Sequence, residues 1–170
     1  MKKISLILTI ITLSIGIFSI SHSQNLIPAK VLYVIDGDTI KVLINGKKES
    51  VRLIGIDTPE SRKNKRAKKQ AKQMRTSIYQ VIKLGKLSKN FVKSIVKKGD
   101  TIYLELDIQP RDFYKRILAY VWLPNGEMLN KKIICSGFAY PLTVPPNVKY
   151  EKEFLKCFRE AREKKLGLWK

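Results

Sequence analysis

Five residues between positions 36 and 60 raise a chemical question. Asp36, Asp38, Asp57 and Glu60 fall at the ends of strand-like apolar runs, and Arg52 stands inside one, in a chain of formal net charge +20. Carboxylates drawn together repel one another unless a cation separates them. Asp38 and Asp57 offer carboxylates, Thr58 a carbonyl and Glu60 a third carboxylate, with no His or Cys in the set. An all-oxygen set suits a hard ion, Ca2+ or Mg2+, and few protein ligands with waters completing the shell suit the looser geometry of Ca2+. Arg52 is either a snorkelling surface residue or a guanidinium that binds a phosphate beside the ion, where its fork fits bidentately. Arg116 begins another apolar run. Two arginines and a divalent cation match the charge that develops when a phosphodiester is cleaved. Singly, Asp-Gly is a common hairpin turn and Asp-Thr-Pro a common strand end; the combination with Arg52 makes the pattern specific.

These side chains need a scaffold. Runs at 29–35 and 39–44 flank Asp36-Gly37-Asp38, a turn signal, and Asn45-Gly46 is a second one. A third run, 50–56, stops at Asp57-Thr58-Pro59, because Pro59 has no N–H to give a sheet ladder. An antiparallel meander of these strands puts Asp38 and Asp57 on one rim. Ala67, Ala71, Met74, Ile78, Val81 and Ile82 recur at helical spacing. They predict a helix packed on the sheet that ends near Leu84-Gly85, with Ser88 capping a second helix that ends at Gly99. Strands are expected at 100–108 and 116–123, and helices at 127–137 and 150–167, with Leu168 and Trp169 packing back onto the core. The fold class is therefore α+β, mainly β: a five-stranded closed barrel of the oligonucleotide-binding type with about three to four flanking helices.

The length of 170 residues suggests one domain. Lys2 and Lys3 precede an apolar run from Ile4 to Ile20, followed by Ser21 and Ser23 placed like a cleavage site. Residues 1–23 read as a secretory signal peptide, with an uncleaved membrane anchor as the alternative. Either places the folded part, 24–170, outside the cytoplasm, as a secreted, periplasmic or cell-surface protein; only the anchor would involve a membrane. Cys135 and Cys157 are compatible with a disulfide there or with two buried thiols. The single histidine, His22, falls in the leader, which argues against histidine acid–base chemistry. Between Glu60 and Asp100 there are fourteen Lys and Arg and no acid. A single-sign block of this density implies a phosphate-rich or membrane-surface partner.

Several separated segments, "VIDGDTIKV", "VRLIGIDTPES", "RDFYKRILAYVWLPNGEMLN", "GFAY" and "PPNVKYEKEF", stand in order along the chain. Together they resemble the staphylococcal-type thermonuclease family over most of residues 29–169. That resemblance implies a Ca2+-dependent nuclease acting on DNA and RNA. It implies that Asp38, Asp57 and the Thr58 carbonyl are calcium ligands, and that Glu60 activates the attacking water. It implies that Arg52 and Arg116 bind phosphate and stabilise the transition state, that Tyr114 lies near the nucleotide phosphate, and that Asp36 lies behind the calcium ligands. Three departures stand out. Lys115 replaces a glycine usual just before the second Arg, which either strains the loop or adds a phosphate contact. "PLTVPP" lacks tyrosines that in some members stack on the base. The basic stretch 62–84 reads as a helical insertion that could track a nucleic-acid backbone. No obligate protein partner is implied, and a monomer is expected. Two rival readings are a non-catalytic nucleic-acid-binding barrel and a cationic envelope protein that adheres to acidic surfaces. The filled acid and arginine set favours catalysis over both.

Overall fold

The turn residues and the alternating runs build the first half of a barrel. A computed structural model describes residues 26–170, so the leader with His22 lies outside the described residues. Strands β1 (Ile27–Asp36), β2 (Thr39–Ile44) and β3 (Lys47–Leu53) form the expected meander. Asn45 and Gly46 both take positive φ, 48° and 77°, as a tight hairpin turn between twisted strands requires. A short β4 (Gly55–Asp57) follows, then helices α1 (Lys65–Gln73) and α2 (Ile78–Ile95), β5 (Thr101–Glu105), β6 (Ile117–Trp122), α3 (Leu129–Cys135), β7 (Tyr140–Leu142), α4 (Glu151–Glu163) and a final 3-10 turn. The sheet closes in the order β1-β2-β3-β6-β5, with β5 returning to β1. Only the β3–β6 pairing within it is parallel. This is the five-stranded α+β barrel of the oligonucleotide-binding type that the pattern predicts. Its interior holds Val31, Ile40, Val42, Val51, Leu53, Ile102, Leu104 and Val121, all buried.

Four local expectations are corrected. The third strand is not continuous to residue 56: it breaks at Ile54-Gly55, and β4 pairs instead with β7. Gly55 has φ +80°, and a Cβ there would lie 2.4 Å from the Phe154 ring, so the kink needs glycine. The helical stretch breaks at residues 74–77 rather than at Gly85. Arg75 takes φ 50°, and the Ser77 hydroxyl accepts from the Gln80 N–H at 3.1 Å, capping α2. Gly85 stays inside α2 because the helix crosses the chain there, and a Cβ would sit 2.4 Å from the Glu60 carbonyl. Ser88 is no cap; its buried hydroxyl donates to the Phe138 carbonyl at 2.8 Å. Ala67, Ala71 and Val81, with Met74 and Ile78, form a small core of their own between α1 and α2 instead of packing on the sheet.

Cys135 and Cys157 are joined in a disulfide that ties α3 to α4, which decides between the two alternatives. Closing a loop of this size contributes about 3 kcal/mol on the chain-entropy model. Trp169 folds back against Tyr140 and Phe158, with ring centroids 5.1 and 5.4 Å away.

Candidate active site

The β1–β2 turn carries Asp36 and Asp38 to the barrel rim, and the segment after β4 comes to meet them. Asp38 is 6% exposed. Its Oδ2 accepts from the Thr58 N–H at 2.9 Å and the Thr58 hydroxyl at 3.1 Å, and its Oδ1 accepts from the Thr39 hydroxyl at 2.8 Å. Burial alone would push its carboxyl up. The Arg52 charge, the Thr58 N–H and the Thr39 hydroxyl together outweigh burial and hold it below the ordinary range. Asp36 stands behind, its Oδ1 accepting from the Ser61 N–H at 3.1 Å. Two segments about twenty residues apart are thus stitched through carboxylates.

Arg52 is buried, not snorkelling. Its Nη1 donates to the carbonyls of Leu53 at 2.6 Å and Ile56 at 2.7 Å, bracing the kink at Gly55. Its Nη2 lies 2.9 Å from Asp57 Oδ1 and 3.4 Å from Asp38 Oδ2. The two aspartates expected to share an ion are therefore neighbours across one guanidinium.

Helix α1 supplies three further side chains that the sequence reading did not single out. Asn64 caps the helix, accepting from the Ala67 N–H at 2.7 Å, while its Nδ2 donates to Glu60 Oε2 at 2.7 Å. Gln70 accepts from the Glu60 N–H at 2.9 Å and donates to the Thr58 carbonyl at 3.1 Å. Arg66 binds Asp57 Oδ1 through Nη2, and its Nε lies 3.2 Å from Glu60 Oε1. The available signals were an Asn in helix-capping position and a lone buried Gln in a lysine-rich helix. Desolvation and the charges of Asp36 and Asp38 raise the Glu60 pKa, against the Asn64 hydrogen bond and Arg66. Desolvation first, then the Asp38 charge, raises that of Asp57.

Arg116 arrives from the loop before β6. Asp112, the lone acid in "PRDFYKR", accepts from its N–H at 2.9 Å and its Nε at 2.6 Å, a second contact that only the i, i+4 spacing hinted at. Tyr114 is exposed, with the Arg116 guanidinium 5.6 Å from its ring centre. Lys115 is exposed and has φ 65°, the left-handed conformation that glycine would favour. Asp36, Asp38, Glu60, Arg66 and Arg116 line one cleft of about 480 Å³. Arg52, Arg66 and Arg116 also line an adjoining cleft of about 220 Å³, whose apolar wall includes Phe113, Leu118, Leu142 and Val144.

No three His, Cys, Asp or Glu among the described residues are grouped so as to hold a metal by themselves. The set expected here is different: two carboxylates, a backbone carbonyl and water. It fits a hard divalent ion on its donor chemistry. Among the groups in direct contact, Asp38, Asp57 and Glu60 share two guanidiniums, Arg52 and Arg66, which formally leaves one negative charge. Asp38, Asp57 and Thr58 would hold the ion.

The chain is similar in sequence to known proteins. Residues 50–170 match the family model described as staphylococcal nuclease homologue. The chain is 40% identical over 136 residues to the thermonuclease of Staphylococcus intermedius, covering 80% of this chain and 72% of that protein. It is 34% identical over 182 residues to the thermonuclease of Staphylococcus hyicus, covering 99% of each. It is 35% identical over 153 residues to endonuclease YncB of Bacillus subtilis (strain 168), covering 87% of this chain and 65% of that protein.

Proposed function

The chain belongs to the staphylococcal nuclease homologue family, and on that premise we propose that it is an exported, calcium-dependent nuclease. It hydrolyses phosphodiester bonds of DNA and RNA with little sequence preference and acts as a monomer. The observation that carries this reading is the meeting of Asp38, Asp57 and Glu60 around the Arg52 and Arg66 guanidiniums, beside a cleft that Asp38, Glu60 and Arg66 line together with Arg116.

Calcium, when bound at Asp38, Asp57 and the Thr58 carbonyl, supplies Lewis-acid polarisation of the phosphoryl oxygens. Glu60, with its pKa raised by burial and by its acidic neighbours, orients a water and accepts its proton. A positioned base of this kind contributes about 10²–10⁴-fold. The water oxygen bonds to phosphorus in line as the P–O5′ bond breaks, and the departing 5′-oxygen takes a proton from solvent, leaving a 3′-phosphate and a 5′-hydroxyl. Arg52 and Arg116 take up the charge that grows on the phosphoryl oxygens, each contributing about 10²–10³-fold. Tyr114 is exposed beside the Arg116 guanidinium on the same loop, where it contacts the nucleotide phosphate. Leu118, Leu142, Val144 and Phe113 offer the base an apolar wall in place of the missing tyrosines. Little base-edge chemistry is present there, in keeping with weak sequence preference.

The basic segment 62–84, α1 and the start of α2, extends this surface. Lys65, Lys68, Lys69 and Lys72 are all exposed and follow the nucleic-acid backbone. The disulfide supports an oxidising compartment, in line with export.

The test is direct. Purified protein is incubated with single-stranded DNA, duplex DNA and RNA, with and without calcium. Shortened products in calcium support the proposal; intact substrates in all three reactions refute it.

A further inference from the structure

Arg66 reaches the acid cluster from the basic helix, not from the barrel. One guanidinium spans a proposed ion ligand and the proposed base: Nη2 binds Asp57 Oδ1 and Nε lies 3.2 Å from Glu60 Oε1. The same Asp57 oxygen also accepts from Arg52 Nη2 at 2.9 Å. A carboxylate oxygen has two acceptor lone pairs, so a cation seated on that oxygen must displace one of the two arginines. They are unequal. Arg52 is buried and fixed by two backbone carbonyls, at 2.6 and 2.7 Å. The Arg66 side chain is 40% exposed, and the partners described for its guanidinium are carboxylates. Arg66 is therefore the one free to move. It also lines both clefts with Arg116, so its release would leave two guanidiniums facing the same space. Paired guanidiniums of this kind recognise a phosphate.

We propose that Arg66 is a third phosphate-binding guanidinium of the site, held on Asp57 and Glu60 and handed to the substrate phosphate when a divalent ion takes Asp57. The inference rests on the proposed nuclease reading. In this arrangement Arg66 keeps the acids from repelling one another before the ion binds, and it frees Glu60 to work only once ion and phosphate are both present. Cation and substrate then bind cooperatively, because each removes the partner that obstructs the other.

The experiment measures binding, not turnover. Calcium affinity is measured by calorimetry for the wild type, Arg66→Gln and Arg66→Lys, each checked by thermal melting. Affinity for an uncleavable deoxynucleoside 5′-monophosphate is measured at saturating calcium. Arg66→Gln should bind calcium about three- to tenfold more tightly, since it loses a like charge from a half-exposed site. It should bind the mononucleotide at least about fivefold more weakly, since it loses a charged hydrogen-bonding fork. Arg66→Lys keeps the charge without the fork, so its calcium affinity should stay near wild type while its nucleotide affinity falls between the other two. Unchanged or weaker calcium binding in Arg66→Gln, or unchanged nucleotide binding, overturns the inference and leaves the nuclease reading standing. Failure of the wild type to bind calcium and nucleotide at all would overturn both.

Discussion

Lys115 holds a left-handed backbone, φ 65°, immediately before Arg116. For a residue with a Cβ this conformation costs about 1–2 kcal/mol. Glycine would relieve it but would give back about 0.4–1 kcal/mol through the freedom of the unfolded chain. Lys115→Gly should therefore stabilise the protein by about 0.5–1 kcal/mol, which for a chain of this size raises Tm by about 1–4 °C. The turn itself should persist. The Lys115 N–H donates to the Asp112 carbonyl at 3.0 Å and its own carbonyl accepts from Arg111 at 2.6 Å, contacts that glycine keeps. Arg116 is aimed by Asp112 through two bonds, at 2.9 and 2.6 Å, neither of which uses the lysine side chain. Urea unfolding with the disulfide intact should show a higher midpoint with the same slope, and kcat should stay within about twofold. An unchanged or lower midpoint would mean that the strain is already absorbed by neighbouring residues. A loss of kcat of about tenfold or more in a folded variant would refute the claim that Asp112 alone sets the aim, and would make the lysine a phosphate ligand.

Glu60→Gln should lose about 10²–10⁴-fold in kcat while the protein stays folded; near-normal turnover removes Glu60 from its role. Because burial and the charges of Asp36 and Asp38 raise the Glu60 pKa, the acid limb of kcat/KM should lie above the ordinary glutamate value of 4.5, with activity falling as pH drops through it. The stability effect has the opposite sense. A carboxyl whose folded pKa is raised stabilises the fold below its unfolded pKa and loses that contribution as pH rises through the folded pKa. In chelator at neutral pH, Glu60→Gln should thus melt no lower than wild type, as read by a thermal scan. Chelation should abolish cleavage while a gel-shift assay still detects polynucleotide binding; full activity in excess chelator refutes the metal site. Replacing Lys65, Lys68, Lys69 and Lys72 by Gln should flatten the dependence of log affinity on log salt by about 0.9 per lost duplex phosphate contact; an unchanged slope would show that the helix does not touch the backbone. Asp112→Asn should cut kcat about 10–100-fold through a freed Arg116 with calcium affinity unchanged; wild-type kcat would show that the loop holds Arg116 without it.

What was legible in the sequence was whatever local chemistry determines. Asp36-Gly37-Asp38 and Asn45-Gly46 can hardly be anything but turns between alternating runs, and they fix the register, pairing Thr39 with Arg52. That register alone brings Asp38 beside the third strand. What was illegible depends on distant chain. Gly85 reads as a helix stop, yet its lack of a Cβ serves the close passage of Glu60, twenty-five residues upstream. Ser88 reads as a cap, yet its hydroxyl bonds to Phe138, fifty residues on. Arg66 and Gln70 read as two more polar positions on a solvated helix, because nothing local says that their face meets Asp57, Thr58 and Glu60. For the same reason, residues 62–84 are no detachable arm: deleting them would remove the clamp on Glu60 as well as the lysines.

The two arginines that the family pattern equates are physically different. Arg52 is tied to two carbonyls and two aspartates, and its loss would leave the buried Asp38 carboxylate without its cation at a cost of about 3–5 kcal/mol. Arg116 is tied to one aspartate on a loop, its side chain 25% exposed. A dead Arg52 variant therefore cannot separate chemistry from folding, whereas an Arg116 variant can. The asymmetry suits the reaction. The wall formed by Arg52, Asp38 and Thr58 is rigid because the same bonds hold the barrel rim together, and a fixed electrostatic environment needs no reorganisation when charge develops. Arg116 on its loop and Arg66 on its helix are held by carboxylates alone, Asp112 for the one and Asp57 and Glu60 for the other, so these two guanidiniums are set by side-chain pairing and not by the barrel backbone.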